Sequence, residues 1–344
     1  MDLLNAFSDN VLLCLFGAII LGVVGTWIAR TIAWKIDFLD KPKANVPQHV
    51  KSVAYLGGLG IYIGFIASNF VFQTQIPIAF LSFATVFMIL GLIDDKIELR
   101  PMHKFLIQVA VAIGAAQYCV SYSFFNIEIL DLALSAFWYL VLLNAFNLTD
   151  VCDGLLGGIS SVIFLIAILA FPNSANMWLI IAGSIIGFLV FNSPPASIFM
   201  GDAGSHLLGF IAAYMTMSNS SIIPSEYSFY LLACLCALPI FEITFLVIVR
   251  YRKGLAWWLS SRDHFALRLQ RHGFSKWKTD FTAYVLTFIS GCPLFYFLLQ
   301  KEMSVITLIV SILLLTLVYL TFWWYLIKIE KEDDARDLAN NQAQ

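Results

Sequence analysis

Three groups of acidic and amide side chains in this chain have the types and spacing for chemistry. Asp94 and Asp95 stand side by side at the end of an apolar run. Asn144, Asn147, Asp150 and Asp153 recur at intervals of three. Met200-Gly201-Asp202-Ala203-Gly204-Ser205 opens a later apolar run. On a helix, residues three apart lie about 60° from one another, so the second group forms an inclined polar strip. Amides and carboxylates in a strip suit a hard, oxygen-liganded cation such as Mg²⁺. Gly154, Gly157 and Gly158 follow, and let backbone approach a ligand or a neighbouring helix.

The other candidates are weighed by their surroundings. Two adjacent carboxylates at a helix C-terminus face a negative dipole end and need a cation. Lys104, downstream of Leu99 and Pro101 and ahead of Gln108, is placed to supply it. Asp202 either caps its helix or helps the free N–H groups there attract phosphate through a bound cation. Arg250 to Lys278 carries eight basic residues. That stretch reads as lipid-headgroup attraction or as a phosphate clamp, with His264, Arg268 and His272 of most interest. Trp257 and Trp258 read as interfacial anchors. Glu242, an acid within an apolar run, is a functional candidate by default.

The elements that must position these groups are membrane helices. The chain is 60% hydrophobic and 12% charged, with mean hydropathy +0.84. A soluble domain carries about 25% charged residues, so an all-α integral membrane protein is expected. A span needs about 20 apolar residues. Apolar runs at 11–33, 55–72, 76–93, 105–121, 130–146, 155–171, 177–192, 205–218, 228–249, 281–299 and 303–327 predict a bundle of about eleven transmembrane helices. Residues 1–329 form one domain on this reading, and 330–344 form a charged tail ending in disorder. With eleven spans, every Lys and Arg except Lys301 falls on one side. The positive-inside rule then places the N-terminus outside and the C-terminus and motifs in the cytoplasm. The first run lacks a basic start and reads as a span, not a cleaved signal. The six cysteines show no metal-ligand spacing, and nothing resembles a nucleic-acid-binding motif.

These residues resemble the polyprenyl-phosphate N-acetylhexosamine-1-phosphate transferase family, over roughly 37–276. The pattern Asp-Asp-x3-Leu-x-Pro-x2-Lys-x3-Gln is met by Asp94, Asp95, Leu99, Pro101, Lys104 and Gln108. Asn-x2-Asn-x2-Asp-x2-Asp-Gly is met by Asn144, Asn147, Asp150, Asp153 and Gly154. Met-Gly-Asp-x-Gly-Ser is met by residues 200–205. Two places depart from the pattern. A His-x2-Pro-x-Pro-Arg-x-Gly-Gly motif is here His49 to Gly58, without the prolines or the arginine. A His-x-His-His cluster is reduced to His264, with Arg268 or His272 as substitutes.

The resemblance implies a bacterial inner-membrane enzyme that starts a cell-envelope polysaccharide. It would join a UDP-HexNAc, GlcNAc being the commonest sugar, to undecaprenyl phosphate, giving undecaprenyl-diphospho-HexNAc and UMP. It implies Mg²⁺, with Mn²⁺ as a substitute, held by Asn147 and Asp202. Asp94, Asp95 and Asp150 would be catalytic. Lys104, Asn144, Asp153, Gly154, His264 and Arg268 would bind substrate, Asp153 near the uracil. A homodimer in membrane lipid is the implied assembly. The rival readings are an inactive family member that binds lipid or nucleotide, and a secondary transporter.

Overall fold

The computed structural model describes residues 9–41, 51–256, 258 and 261–342. His49 and Trp257 lie outside the described residues. Thirteen α-helices are described. The first six are α1 (Asp9–Lys35), α2 (Gly57–Phe72), α3 (Ile78–Ile97), α4 (Pro101–Tyr118), α5 (Glu128–Thr149) and α6 (Leu155–Ala170). They are followed by α7 (Ala175–Asn192), α8 (Gly201–Ser218), α9 (Ser225–Leu235), α10 (Ala237–Arg252) and α11 (Phe265–Arg271). The chain ends with α12 (Lys276–Gln300) and α13 (Val305–Gln342). Strands β1 (Leu39–Asp40) and β2 (Val53–Ala54) pair antiparallel, Leu39 opposite Ala54.

The expectation of eleven spans is overturned. Among the described residues, six helices are long and apolar enough to cross a membrane: α1, α3, α5, α7, α12 and α13. The α9–α10 pair, bent by 75°, makes a seventh if it is one span. The physical reason is length and polarity. Helices α2 and α6 have 16 residues each, which at 1.5 Å per residue reach about 24 Å, short of a core of about 30 Å. Helices α4 and α8 have 18 residues each and carry Lys104 and Gln108, and Asp202 and His206. The chain is a multi-pass, all-α membrane protein, but the charge partition that set its N-terminus outside was counted on eleven spans and falls with them.

The core is centred on α8, which packs against α3 and α5. Its Phe210 lies 5.4 Å from Phe80, 5.3 Å from Phe87 and 5.5 Å from Tyr139, ring centre to ring centre. Helix α13 is the opposite extreme: no residue of its most apolar stretch is fully buried, although Tyr319 meets Ser290 at 2.7 Å and Ser311 meets Tyr230 at 3.1 Å. The helix nevertheless continues past Glu330 to Gln342, through the segment the sequence reads as fading into disorder.

Candidate active site

The acidic motifs are brought together by helix ends. Helix α3 stops at Glu98, whose backbone is left-handed (φ 49°) and whose N–H donates to the Asp94 carbonyl. Pro101 then starts α4, where its missing N–H costs nothing. This tight junction folds Lys104 back onto Asp94, 2.8 Å away. The Leu99 N–H donates to the other Asp94 oxygen at 2.8 Å.

The N-terminus of α8 is capped from another helix. Asp95 accepts the Asp202 N–H at 2.8 Å and the Ala203 N–H at 3.1 Å. These are donors that a helix start leaves without partners. Gly201, at φ 73°, makes the turn, and a Cβ there would lie 2.7 Å from an Asp95 oxygen. Backbone pairing fixes the approach: Phe199 donates to the Ala54 carbonyl, and Gly57 and Gly58 donate to the Phe199 and Met200 carbonyls.

Asp202 is the hub. One oxygen takes an ion pair from Lys104. The other accepts from Asn147 Nδ2 at 2.8 Å, and Asn147 also donates to Ser205 Oγ at 3.0 Å. Asn144, one turn earlier on α5, donates to Gln108 at 3.2 Å, and Gln108 meets His206 at 3.1 Å. Burial works to raise the Asp202 carboxyl. The Lys104 charge and the hydrogen bonds with Asp94, Lys104 and Asn147 outweigh it, holding Asp202 below the usual carboxylate range. Asp150, just past α5, is pushed well above that range by burial and then by the charges of Asp202 and Asp95.

The second half of the strip faces a different set of partners. Asp153 pairs with Lys276 at 2.7 Å and accepts the Ala196 N–H at 3.2 Å. The Gly154 N–H donates to Asn192 at 3.0 Å, and its carbonyl accepts the Tyr284 hydroxyl at 2.8 Å. Gln270 donates to Cys152 Sγ at 3.1 Å. Asp280 is buried beside this turn with neither oxygen hydrogen-bonded among the described residues. Lys276 was visible in the sequence only as one of many basic residues. Gln270, Asn192, Tyr284 and Asp280 carry no spacing signal.

His264 and Arg268 are not brought into the carboxylate cluster. His264 Nδ1 is 2.8 Å from Glu242, which also accepts the Phe265 N–H at 3.3 Å. Glu242 is thereby accounted for as the partner at the start of α11. Arg268, 2% exposed, pairs with Asp263 at 3.0 Å and Glu330 at 2.6 Å, and donates to the Leu326 carbonyl at 3.3 Å. Lys253 bridges the same two acids, 2.6 Å from Asp263 and 2.7 Å from Glu330. His272 meets Asp333 at 3.3 Å. Together these contacts form a charged latch from α11 to α13.

The donor set fits a hard divalent cation. Asp95, Asp150 and Asp202 lie close enough to repel one another, and Asn147, which donates its amide nitrogen to Asp202, would have its carbonyl oxygen to offer as a neutral ligand. Among the described residues no three His, Cys, Asp or Glu side chains form a self-sufficient metal cage. Mg²⁺ rarely uses one: it takes one or two carboxylates, waters and substrate phosphates.

Residues 77–220 match the model of glycosyl transferase family 4. That stretch holds Asp94, Asp95, Lys104, the asparagine–aspartate strip and Asp202. The chain is 31% identical over 282 residues to a probable undecaprenyl-phosphate N-acetylglucosaminyl 1-phosphate transferase of Bacillus subtilis (strain 168), covering 77% of this chain and 78% of that protein. It is 28% identical over 298 residues to the undecaprenyl-phosphate alpha-N-acetylglucosaminyl 1-phosphate transferase of Escherichia coli (strain K12), covering 80% and 79%. The protein of that name from Thermotoga maritima is 31% identical over 226 residues, 65% of this chain and 70% of its own. With the motifs, their convergence and these relatives in agreement, the chain belongs to glycosyl transferase family 4.

Proposed function

We propose that the protein transfers an N-acetylhexosamine 1-phosphate, GlcNAc 1-phosphate by preference, from its UDP derivative to undecaprenyl phosphate. The observation that carries this reading is the unbroken chain of contacts from Asp94 to Lys104, from Lys104 to Asp202 and from Asp202 to Asn147. A phosphate oxygen of the acceptor attacks the phosphorus that bears the sugar. The bond from that phosphorus to the bridging oxygen breaks, and UMP leaves. The lipid phosphate is already a competent nucleophile, so direct attack suffices. Asp94 orients it or takes its proton, and Asp95 holds the α8 N-terminus toward it. Two anions must approach each other, so the reaction needs positive charge in place beforehand. Asp202 and Asn147 would hold Mg²⁺, which when bound supplies charge for the diphosphate. Asp153, set by Lys276, supports the nucleotide end. The basic segments flanking the site favour a cytoplasmic active face.

The test is the lipid product. Purified protein in detergent with undecaprenyl phosphate, UDP-GlcNAc and Mg²⁺ should yield undecaprenyl-diphospho-GlcNAc by mass spectrometry. A product seen equally without Mg²⁺ or without acceptor would refute the reading.

A further inference from the structure

A pocket beside the carboxylate cluster is lined by Asp37, Phe38, Leu39, Tyr55, Asp95 and Lys96. It is formed where the chain leaves α1, where it leaves β2, and at the last turn of α3. Lys96 is exposed, and its ammonium stands 5.3 Å from the centre of the Phe38 ring. Asp37 pairs with Lys41 at 2.6 Å on the exposed rim, which leaves Lys96 as the one cation among the residues lining the pocket.

Tyr55 connects this pocket to the cluster. Its N–H donates to the Phe38 carbonyl at 3.2 Å, and its ring meets Phe199 edge-on at 6.3 Å. Phe199 immediately precedes the Met200-Gly201-Asp202 turn. Burial first, and then Asp95, Asp202, Asp150 and Asp40, hold the phenol well above its usual range, so it keeps its proton. Tyr55 also stands where the resembling motif has its arginine. A neutral O–H donor therefore occupies a position where a cation would otherwise sit among carboxylates.

A phosphate monoester approaching the cluster meets the negative charge of Asp202, which is held anionic. Lys104 is already committed to Asp94 and Asp202. Further positive charge and O–H donation must come from another wall, and this pocket presents both, next to Asp95. We propose that Lys96 and Tyr55 seat the phosphate monoester of the acceptor, Lys96 as its counter-charge and the Tyr55 hydroxyl as a hydrogen-bond donor. The identification of that phosphate as the acceptor's rests on the transferase reading. The two side chains position the nucleophile, and neither takes part in proton transfer.

Two measurements test this. In steady-state assays, Lys96→Gln and Tyr55→Phe should each raise KM for undecaprenyl phosphate about tenfold, roughly one lost polar contact, with KM for the UDP-sugar unchanged. Lys96→Arg should restore it. An equal rise for the donor would assign the pocket to the diphosphate and overturn the proposal, as would no change at all. The second measurement needs no turnover. Detergent-solubilised wild type should bind farnesyl phosphate more tightly than farnesol, and Lys96→Gln should lose that preference. No preference in wild type, or one indifferent to Lys96, would overturn the proposal. Inorganic phosphate competing as well as farnesyl phosphate would mark a free-phosphate site instead, which is also a refutation. If binding behaves as expected but no UMP forms, the site stands and the transferase reading fails.

Discussion

At the scale of the residue, the site divides labour among carboxylates that look alike in sequence. Asp202 is held anionic by Lys104 and Asn147, while Asp95 spends both oxygens on backbone N–H groups of α8. Different losses are therefore expected. Asp95→Ala should lower thermal stability by about 1–2 kcal/mol, the usual cost of a lost helix cap, and this is measurable by thermal unfolding in detergent. Lys276→Ala should raise KM for the UDP-sugar severalfold, since it frees Asp153. A rise in acceptor KM alone would contradict that placement. The motif residues themselves were legible, because the spacing of Asn144, Asn147, Asp150 and Asp153 is local. Their partners were not. Lys104 reaches Asp202 across 98 residues, Asp95 reaches it across 107, and Lys276 reaches Asp153 across 123. No periodicity within one helix encodes such pairs.

At the scale of the element, close packing of α2 on α8 sets the site's geometry. A Cβ on Gly58 would lie 2.2 Å from the Gly204 nitrogen, a backbone atom that cannot swing away. Gly58→Ala should therefore force the helices apart and cut activity by at least tenfold without removing any chemical group, while Ala at exposed Gly254 would strain a backbone at φ 68° but meet nothing within 4 Å, and should leave activity far less affected. The latch between α11 and α13 is a second element-scale feature, and here sequence and structure differ. Spacing and charge suggested that His264 and Arg268 clamp substrate, whereas His264 pairs with distant Glu242, and Arg268 with nearby Asp263 and distant Glu330. Burial would raise Asp263, but Lys253 and then Arg268 hold it below the usual carboxylate range. A depressed folded-state value contributes stability that is complete above about pH 4 and lost as pH falls through the lower value. The attachment of α13 should thus be constant from pH 8 to about pH 5 and loosen at more acid pH. Hydrogen exchange over the α13 segment around Glu330 should report it, and Asp263→Asn should abolish the Asp263 part of that acid-dependent step. Loosening near neutrality instead would contradict the assignment to Asp263.

At the scale of the whole molecule, the class of the protein was plain from composition, yet the number of spans was not. An apolar run signals burial in lipid or in protein alike. Helix α8, apart from Asp202 and His206 near its start, is apolar where it is enclosed by α3 and α5, whereas the apolar stretch of α13 has no fully buried residue. The short or polar helices α2, α4 and α8 bring the motif ends together, so the features that make them poor spans also make them good site walls. Our central claim is that this single cluster performs phosphosugar transfer. The most direct measurement is UMP release from UDP-GlcNAc in the presence of undecaprenyl phosphate and Mg²⁺, comparing wild type with Asp202→Asn. We expect acceptor-dependent release by wild type and a loss of at least about 100-fold in the variant, as for removal of a principal charge-stabilising group, with thermal unfolding still showing a folded protein. Release that survives in a folded Asp202→Asn protein would contradict the account.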